Sequence, residues 1–259
     1  MRKTMNDKIE MLKELYESKS KHSQYHPLPP LLKKMMKTDT PDERFHYEKE
    51  RMDYITEKIK LGKRVLDIGG NSGFFTFEAL RLGCEHVDYF EGNTDLAKFV
   101  SIASEVLEES EKITVHAEYY DFEHPSGQYD TIIVLNVLHH MGADFTQGIG
   151  MENAKKGILE ALNRLAMHTK FMIFQMGFNW GGNAEKCLFP HGTKQEMIDY
   201  IKGGTSTCWE ICNIGIPVKI VENYKYCDAE AINLIRRDEY GEFMNRPLFI
   251  MKSRVCNEV

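Results

Sequence analysis

At 259 residues the chain is longer than one ordinary domain of roughly 150 and too short for two, so one large domain with appendages is expected. Its 42% hydrophobic and 28% charged residues match the globular average and exclude a disordered, collagenous or fibrous protein. The net charge of −6 argues against a general nucleic-acid binder, whose grip on phosphates is driven by counterion release to basic side chains.

No apolar run reaches the ~18–20 residues needed to span a bilayer. The opening MRKTMNDKIEMLKELYESKSK is charged throughout and lacks the apolar stretch of a signal peptide, which gives a cytoplasmic expectation with no membrane partner. In such a compartment the six cysteines (Cys84, Cys187, Cys208, Cys212, Cys227, Cys256) are expected to stay reduced. Cys208 and Cys212 form one loose pair, whereas structural zinc wants paired short spacings, so no metal is expected.

In chain order, 7–19 places Ile9, Leu12, Leu15 and Tyr16 at helical spacing. HSQYHPLPP (22–30) reads as a loop, since three prolines in four positions deny a helix donors and room. Thr40, Pro41 and Glu43 are helix-start signals for a helix carrying Phe45, Met52, Ile55 and Ile59 as far as about Lys60. From Lys63 strands and helices alternate. Strands are expected at 64–69, 86–92, 112–120, 129–138 and 170–177, and helices at 74–83, 93–110 and 154–166. That alternation predicts an α/β fold with a doubly wound, mostly parallel sheet. A helix at 193–204 opens on the capping pair Thr193 and Glu196, and strands at 209–220 and 246–253 bring the sheet to about seven. Antiparallel pairing of those last two strands leaves a link holding a helix around 228–236.

One stretch carries chemistry. Val65-Leu66-Asp67-Ile68-Gly69-Gly70-Asn71-Ser72-Gly73-Phe74 runs from a buried strand through a glycine-rich turn into a helix, a place where backbone can approach a ligand closely. A dinucleotide fingerprint needs G-x-G-x-x-G, and Asn71 and Phe74 stand where two of its glycines belong, which argues against a nicotinamide enzyme. Glu91 ends the next strand, 18 residues after Gly73, and a carboxylate with two acceptor oxygens suits a ribose diol. Further on, Tyr129-Asp130-Thr131-Ile132-Ile133-Val134-Leu135-Asn136-Val137-Leu138-His139-His140 makes an apolar strand ending in a histidine pair.

With these three motifs in this order, residues 60–177 resemble the class I S-adenosylmethionine-dependent methyltransferases. Their first motif, D/E-x-G-x-G-x-G, is matched by Asp67, Gly69 and Gly73, with Asn71 in place of the middle glycine. Asn tolerates the left-handed backbone such a loop requires. The resemblance implies a Rossmann-like methyltransferase domain over 61–259 and an N-terminal helical cap over 1–60. It also implies S-adenosyl-L-methionine as cofactor. Asp67, Gly69 and Gly73 then line its methionine end, with Gly70 and Asn71 completing the loop, and Glu91, followed by Gly92, holds the ribose. Tyr119, Tyr120 and Asp121 flank the adenine, and Asn136 lies under the sulfonium. His139 or His140 suits a general base, since imidazole titrates near neutrality, although the same pair packs beside the cofactor in many members.

Arg44, Tyr47 and Arg51 share one helix face by spacing. With Tyr25 and His26 they could close over the cofactor and hold its carboxylate; the alternative is a solvated charged face. Trp180 among paired glycines could wall a sugar or ring-bearing acceptor, or simply anchor its loop. The Asn-Pro-Pro-aromatic box of the amino-adenine methylators is missing. The expected activity is therefore methyl transfer to oxygen or nitrogen of a small-molecule or saccharide acceptor. An RNA-modifying enzyme is the runner-up, and a non-catalytic S-adenosylmethionine-binding protein comes after it.

Overall fold

A computed structural model describes residues 4–17, 27–37, 47–146, 148–221 and 223–256. The helices are α1 (Met5–Glu17), α2 (Pro30–Met36), α3 (Glu48–Lys58), α4 (Phe74–Arg81), α5 (Thr94–Val106), α6 (Met151–Leu165) and α7 (Lys194–Thr205). The strands are β1 (Arg64–Ile68), β2 (His86–Phe90), β3 (Ile113–His116), β4 (Tyr129–Leu135), β5 (Thr169–Gln175), β6 (Trp209–Ile220), β7 (Asn223–Asp228) and β8 (Leu248–Ser253). The fold is mixed α/β, as the alternation predicts, with eight strands rather than seven. Helix α2 is an addition: Pro30 suits its first position, and Lys37 stops it with a left-handed backbone at φ 51°. The expected helix start at Thr40–Glu43, and Phe45 with it, lie outside the described residues.

The chain forms two compact units, one of residues 1–48 and 61–120, the other of 49–60 and 121–259. In the first, β3, β2 and β1 pair in parallel in that order. Val65, Leu66, Val87 and Tyr89 are buried along these strands, and Phe75 and Phe99 on helices α4 and α5 are buried as well. Helix α1 lies on α5, where Tyr16 meets Phe99 at 5.9 Å between ring centroids and Lys8 pairs with Glu105 at 2.7 Å. Helix α5 starts where its sequence says it should. Asn93 sits in extended backbone, and its side chain accepts the amides of Asp95 (3.0 Å) and Leu96 (3.3 Å). Asn93→Ala should cost about 1 kcal/mol of stability, read as a lower denaturant midpoint with an unchanged slope.

In the second unit the strand order is β4-β5-β8-β6-β7, with β4 and β5 parallel and the remaining pairs antiparallel. Strand β4 is buried from Thr131 to Leu135, as a nearly all-apolar strand must be. Strands β6 and β8 pair antiparallel, as expected, around a bulge between Ile211 and Asn213. Trp209 fills the core beneath α6, its indole N–H donating to Leu162 O at 2.9 Å. Thr193 caps α7, accepting Glu196 N at 3.1 Å, but Glu196 does not return the bond to Thr193; it takes His191 N at 3.0 Å.

The link between β6 and β8 departs from expectation. It forms strand β7 and then turns, with no helix at 228–236. The reason is competition for backbone groups. The Asn233 amide accepts Glu230 N and donates to Asp228 O, both at 2.8 Å. The buried Lys194 ammonium takes the carbonyls of Asn233 (2.9 Å) and Ile235 (3.0 Å). Residues 117–128, between β3 and β4, hold no helix.

Candidate functional site

The glycine-rich turn of the first unit alternates left-handed residues: Gly69 (φ 70°), Asn71 (φ 50°) and Gly73 (φ 81°). Asn71 occupies the position where Asn is tolerated, and its side-chain oxygen accepts the amide of Ser72 at 2.9 Å. The amides of Gly69 and Gly70 donate to Phe90 O at 2.8 and 3.3 Å, which ties the turn to the end of β2. Gly70 must be glycine, since a Cβ there would fall into the ring of Tyr89 and 2.7 Å from Asp67 Oδ2. Tyr89 donates its hydroxyl to Asn71 O from below.

Asp67 is therefore a support beneath the turn. It is 2% exposed and accepts the Thr76 hydroxyl at 2.6 Å. Burial pushes its carboxyl up to about 7, against the pull of the Thr76 bond and with a further push from the charge of Glu91. Glu91 stands at the end of β2, with Oε2 accepting Asn71 N at 3.0 Å and Oε1 accepting Asn93 N at 2.8 Å. Burial also raises its carboxyl, and these backbone bonds oppose that rise. The Gly92 backbone adds a third bond, and a carboxylate with about four lone-pair sites still keeps acceptor capacity for a sugar hydroxyl. Ser72 Oγ is buried with no hydrogen-bond partner among the described residues, so the turn offers an unused polar group. On both counts the residues present fit a nucleoside that carries a polar tail.

Gly92 is bare because the ring of Tyr119 covers it: a Cβ there would overlap that ring. Tyr119 is 57% exposed, whereas Tyr120 is buried edge-on to Phe90 at 4.9 Å. The aromatic face beside Glu91 is thus that of Tyr119, and Tyr120 lies beneath as support. Tyr47 precedes α3 with φ 60°, which takes it off the helical face expected to join it to Arg44 and Arg51. Arg44, Tyr25 and His26 lie outside the described residues.

In the second unit Asp121 accepts the amides of Glu123 (2.8 Å) and His124 (3.2 Å) and lies 3.0 Å from His124 Nδ1, contacts that hold its carboxyl below the usual range. Asn136 follows β4 with φ 61°. Its Oδ1 accepts Arg246 Nη1 at 2.8 Å, and its Nδ2 donates to Gln175 Oε1 at 3.3 Å. Arg51, expected either over the cofactor or in solvent, is instead wholly buried and donates to that same Gln175 oxygen at 3.1 Å. Glu242 completes the network, taking Arg246 Nε at 2.9 Å and Phe178 N at 2.7 Å. Gln175, Glu242 and Arg246 were not singled out from sequence: they lie far apart along it, and only the sheet gathers them. His139 is 2% exposed with its ring edge against Gly177, and His140 is half-buried with Nδ1 2.7 Å from Asp144 Oδ2. Trp180 is anchored through its indole N–H to Met141 O at 2.7 Å, with Lys186 Nζ 4.8 Å from its ring centroid.

No protein-family model and no curated protein sequence matches the chain. Solved structures do. WbdD, described as a bifunctional kinase-methyltransferase, matches at TM-score 0.54 and 15% identity over 96% of this chain, which spans about half of WbdD (46%). The methyltransferase domain of bacterial CtHen1 matches at 0.50 and 12%, over 79% of this chain and 98% of that one. PH1948 of Pyrococcus horikoshii, provisionally described as an RNA methyltransferase, matches at 0.50 and 12% over 100% of both. At such identities the likeness is one of fold, and the chain has the Rossmann-like fold of these methyltransferases.

Proposed function

We propose that the protein transfers a methyl group from S-adenosyl-L-methionine to an oxygen or nitrogen of a small-molecule or saccharide acceptor. The observation carrying this reading is Glu91. Its carboxylate accepts the backbone amides of Asn71 in the glycine-rich turn and Asn93 at the start of α5, and the Gly92 backbone adds a third bond. The exposed ring of Tyr119 lies alongside on Gly92. A carboxylate so held presents acceptors to a ribose diol, and the adjacent aromatic face suits adenine. Gly69, Gly70, Asn71 and Gly73 shape the turn around the methionine end, and Asp67 supports the turn from beneath.

Bound S-adenosylmethionine supplies an already activated methyl group, so the protein's task is alignment and, for a protonated acceptor, removal of a proton. His139 and His140 are the residues proposed for that proton. Calorimetry with S-adenosylhomocysteine tests the cofactor reading. The wild-type protein should bind it, and Tyr119→Ala should weaken binding about tenfold through loss of one stacked face, of order 1–2 kcal/mol. An unchanged affinity removes Tyr119 from the site. The fold shared with PH1948 favours one second reading, an RNA acceptor; a salt-sensitive gel shift with tRNA would support it.

A further inference from the structure

We propose that Asn71 is a plug displaced by the cofactor: its side-chain oxygen occupies the turn amide, that of Ser72, which the ligand's carboxylate takes on binding. Capture of the tail is then an exchange of acceptors, an inference that rests on the methyl-transfer reading. The turn's amides lead to it one by one. Gly69 and Gly70 donate to Phe90 O at 2.8 and 3.3 Å, and Gly73 donates to Gly70 O at 2.9 Å. Asn71 donates to Glu91 Oε2 at 3.0 Å. Each of these bonds ties the turn to itself or to the end of β2, and losing one would open it. Among the five amides, Ser72 N is the one closed by the side chain of its own neighbour, Asn71 Oδ1 at 2.9 Å.

That bond breaks without moving the chain. Asn71 keeps its left-handed backbone, φ 50°, whichever way its side chain turns, and the Tyr89 hydroxyl holds its carbonyl. A rotation of the side chain releases the Ser72 amide while the backbone bonds stay made. Glycine at this position would take the same φ more readily and leave the Ser72 amide open. Asparagine instead keeps the turn satisfied until a stronger acceptor arrives.

The released position suits the carboxylate of a zwitterionic tail. Ser72 Oγ belongs to the same residue, is 1% exposed and has no hydrogen-bond partner among the described residues, and a buried hydroxyl left unpaired is costly. Helix α4 begins two residues on, with no side-chain cap and no acidic residue in its first turn, and the positive end of its dipole favours an anion. Asp67 and Glu91 stand against the same turn, so a lone anion meets repulsion there. An aminocarboxylate carries an ammonium beside its carboxylate and escapes that penalty. The exchange runs downhill because an amide bonds a carboxylate roughly twice as strongly as a neutral carboxamide oxygen.

Calorimetry on the full chain with two probes tests this. S-adenosylhomocysteine carries the aminocarboxylate tail; methylthioadenosine keeps the nucleoside and the thioether but lacks the tail. The quantity read is the ratio of their affinities, in which effects of a substitution on folding or on nucleoside binding cancel. Asn71→Gly should raise the preference for S-adenosylhomocysteine about fivefold, since no plug has to leave. Asn71→Asp puts a carboxylate on the Ser72 amide and should lower the preference about tenfold. Ser72→Ala should lower it about fivefold, with methylthioadenosine bound as in the wild type. A preference that any of the three leaves unmoved, or moves the other way, overturns the exchange. If the wild type binds neither probe, the methyl-transfer reading falls and the plug with it; if it binds both and the preference ignores Asn71, only the plug falls.

Discussion

Glu91→Ala should weaken S-adenosylhomocysteine binding by about 2–4 kcal/mol, roughly 30- to 700-fold by calorimetry. The estimate counts two charge-assisted hydrogen bonds to a ribose diol at about 1.5–3 kcal/mol each, less what water restores. The structure adds a second cost. Glu91 also holds the amides of Asn71 and Asn93, so its removal loosens the turn that must shape itself to the ligand. Glu91→Gln keeps one acceptor oxygen and should fall between the two. An affinity unchanged in Glu91→Ala would dispose of the nucleoside site at β2.

Asp67→Asn should change how stability depends on pH. The buried carboxyl titrates at about 7 in the folded protein, against about 4 in an unfolded chain. Below pH ~4 both states hold the proton, and the stability tied to this group is fully present. Between ~4 and ~7 the unfolded chain releases its proton while the folded protein keeps it, so that stability drains away, by at most roughly 4 kcal/mol, and is flat above ~7. The asparagine variant does not titrate and can still accept the Thr76 hydroxyl. The stability difference, variant minus wild type, should therefore climb through that window in chemical denaturation at pH 4, 5.5, 7 and 8. A difference independent of pH would show that Asp67 ionises as an ordinary carboxylate. The two predictions are linked: Glu91 raises the Asp67 pKa, so Glu91→Ala should move the window toward lower pH.

The strand–helix alternation and the motif turn were legible because each rests on local chemistry. Asn93 and Thr193 cap helices as their types require, and Asn71 takes the left-handed conformation expected of it. What sequence could not show depended on partners distant along the chain. Asp67 reads as a residue lining the methionine end, and its burial and its bond to the Thr76 hydroxyl emerge only in the fold. Arg51 reads as either a cofactor clamp or a solvated charge, and its burial becomes intelligible through distant partners such as the Gln175 amide and the Phe243 ring, 5.3 Å from its guanidinium. Strand β7 left a trace in the alternation of Asn223, Tyr224, Lys225 and Tyr226, in which Tyr226 is buried. The helix expected after it gave way because Lys194, from another element, claims its carbonyls.

Strand β8 is the last of the eight along the chain, yet it lies between β5 and β6. During synthesis the second unit must therefore wait with two raw sheet edges until residues 248–253 leave the ribosome. A keystone laid last makes assembly slow and exposes the nascent protein to mispairing with its neighbours. Chaperone dependence during expression would follow from that order of assembly alone.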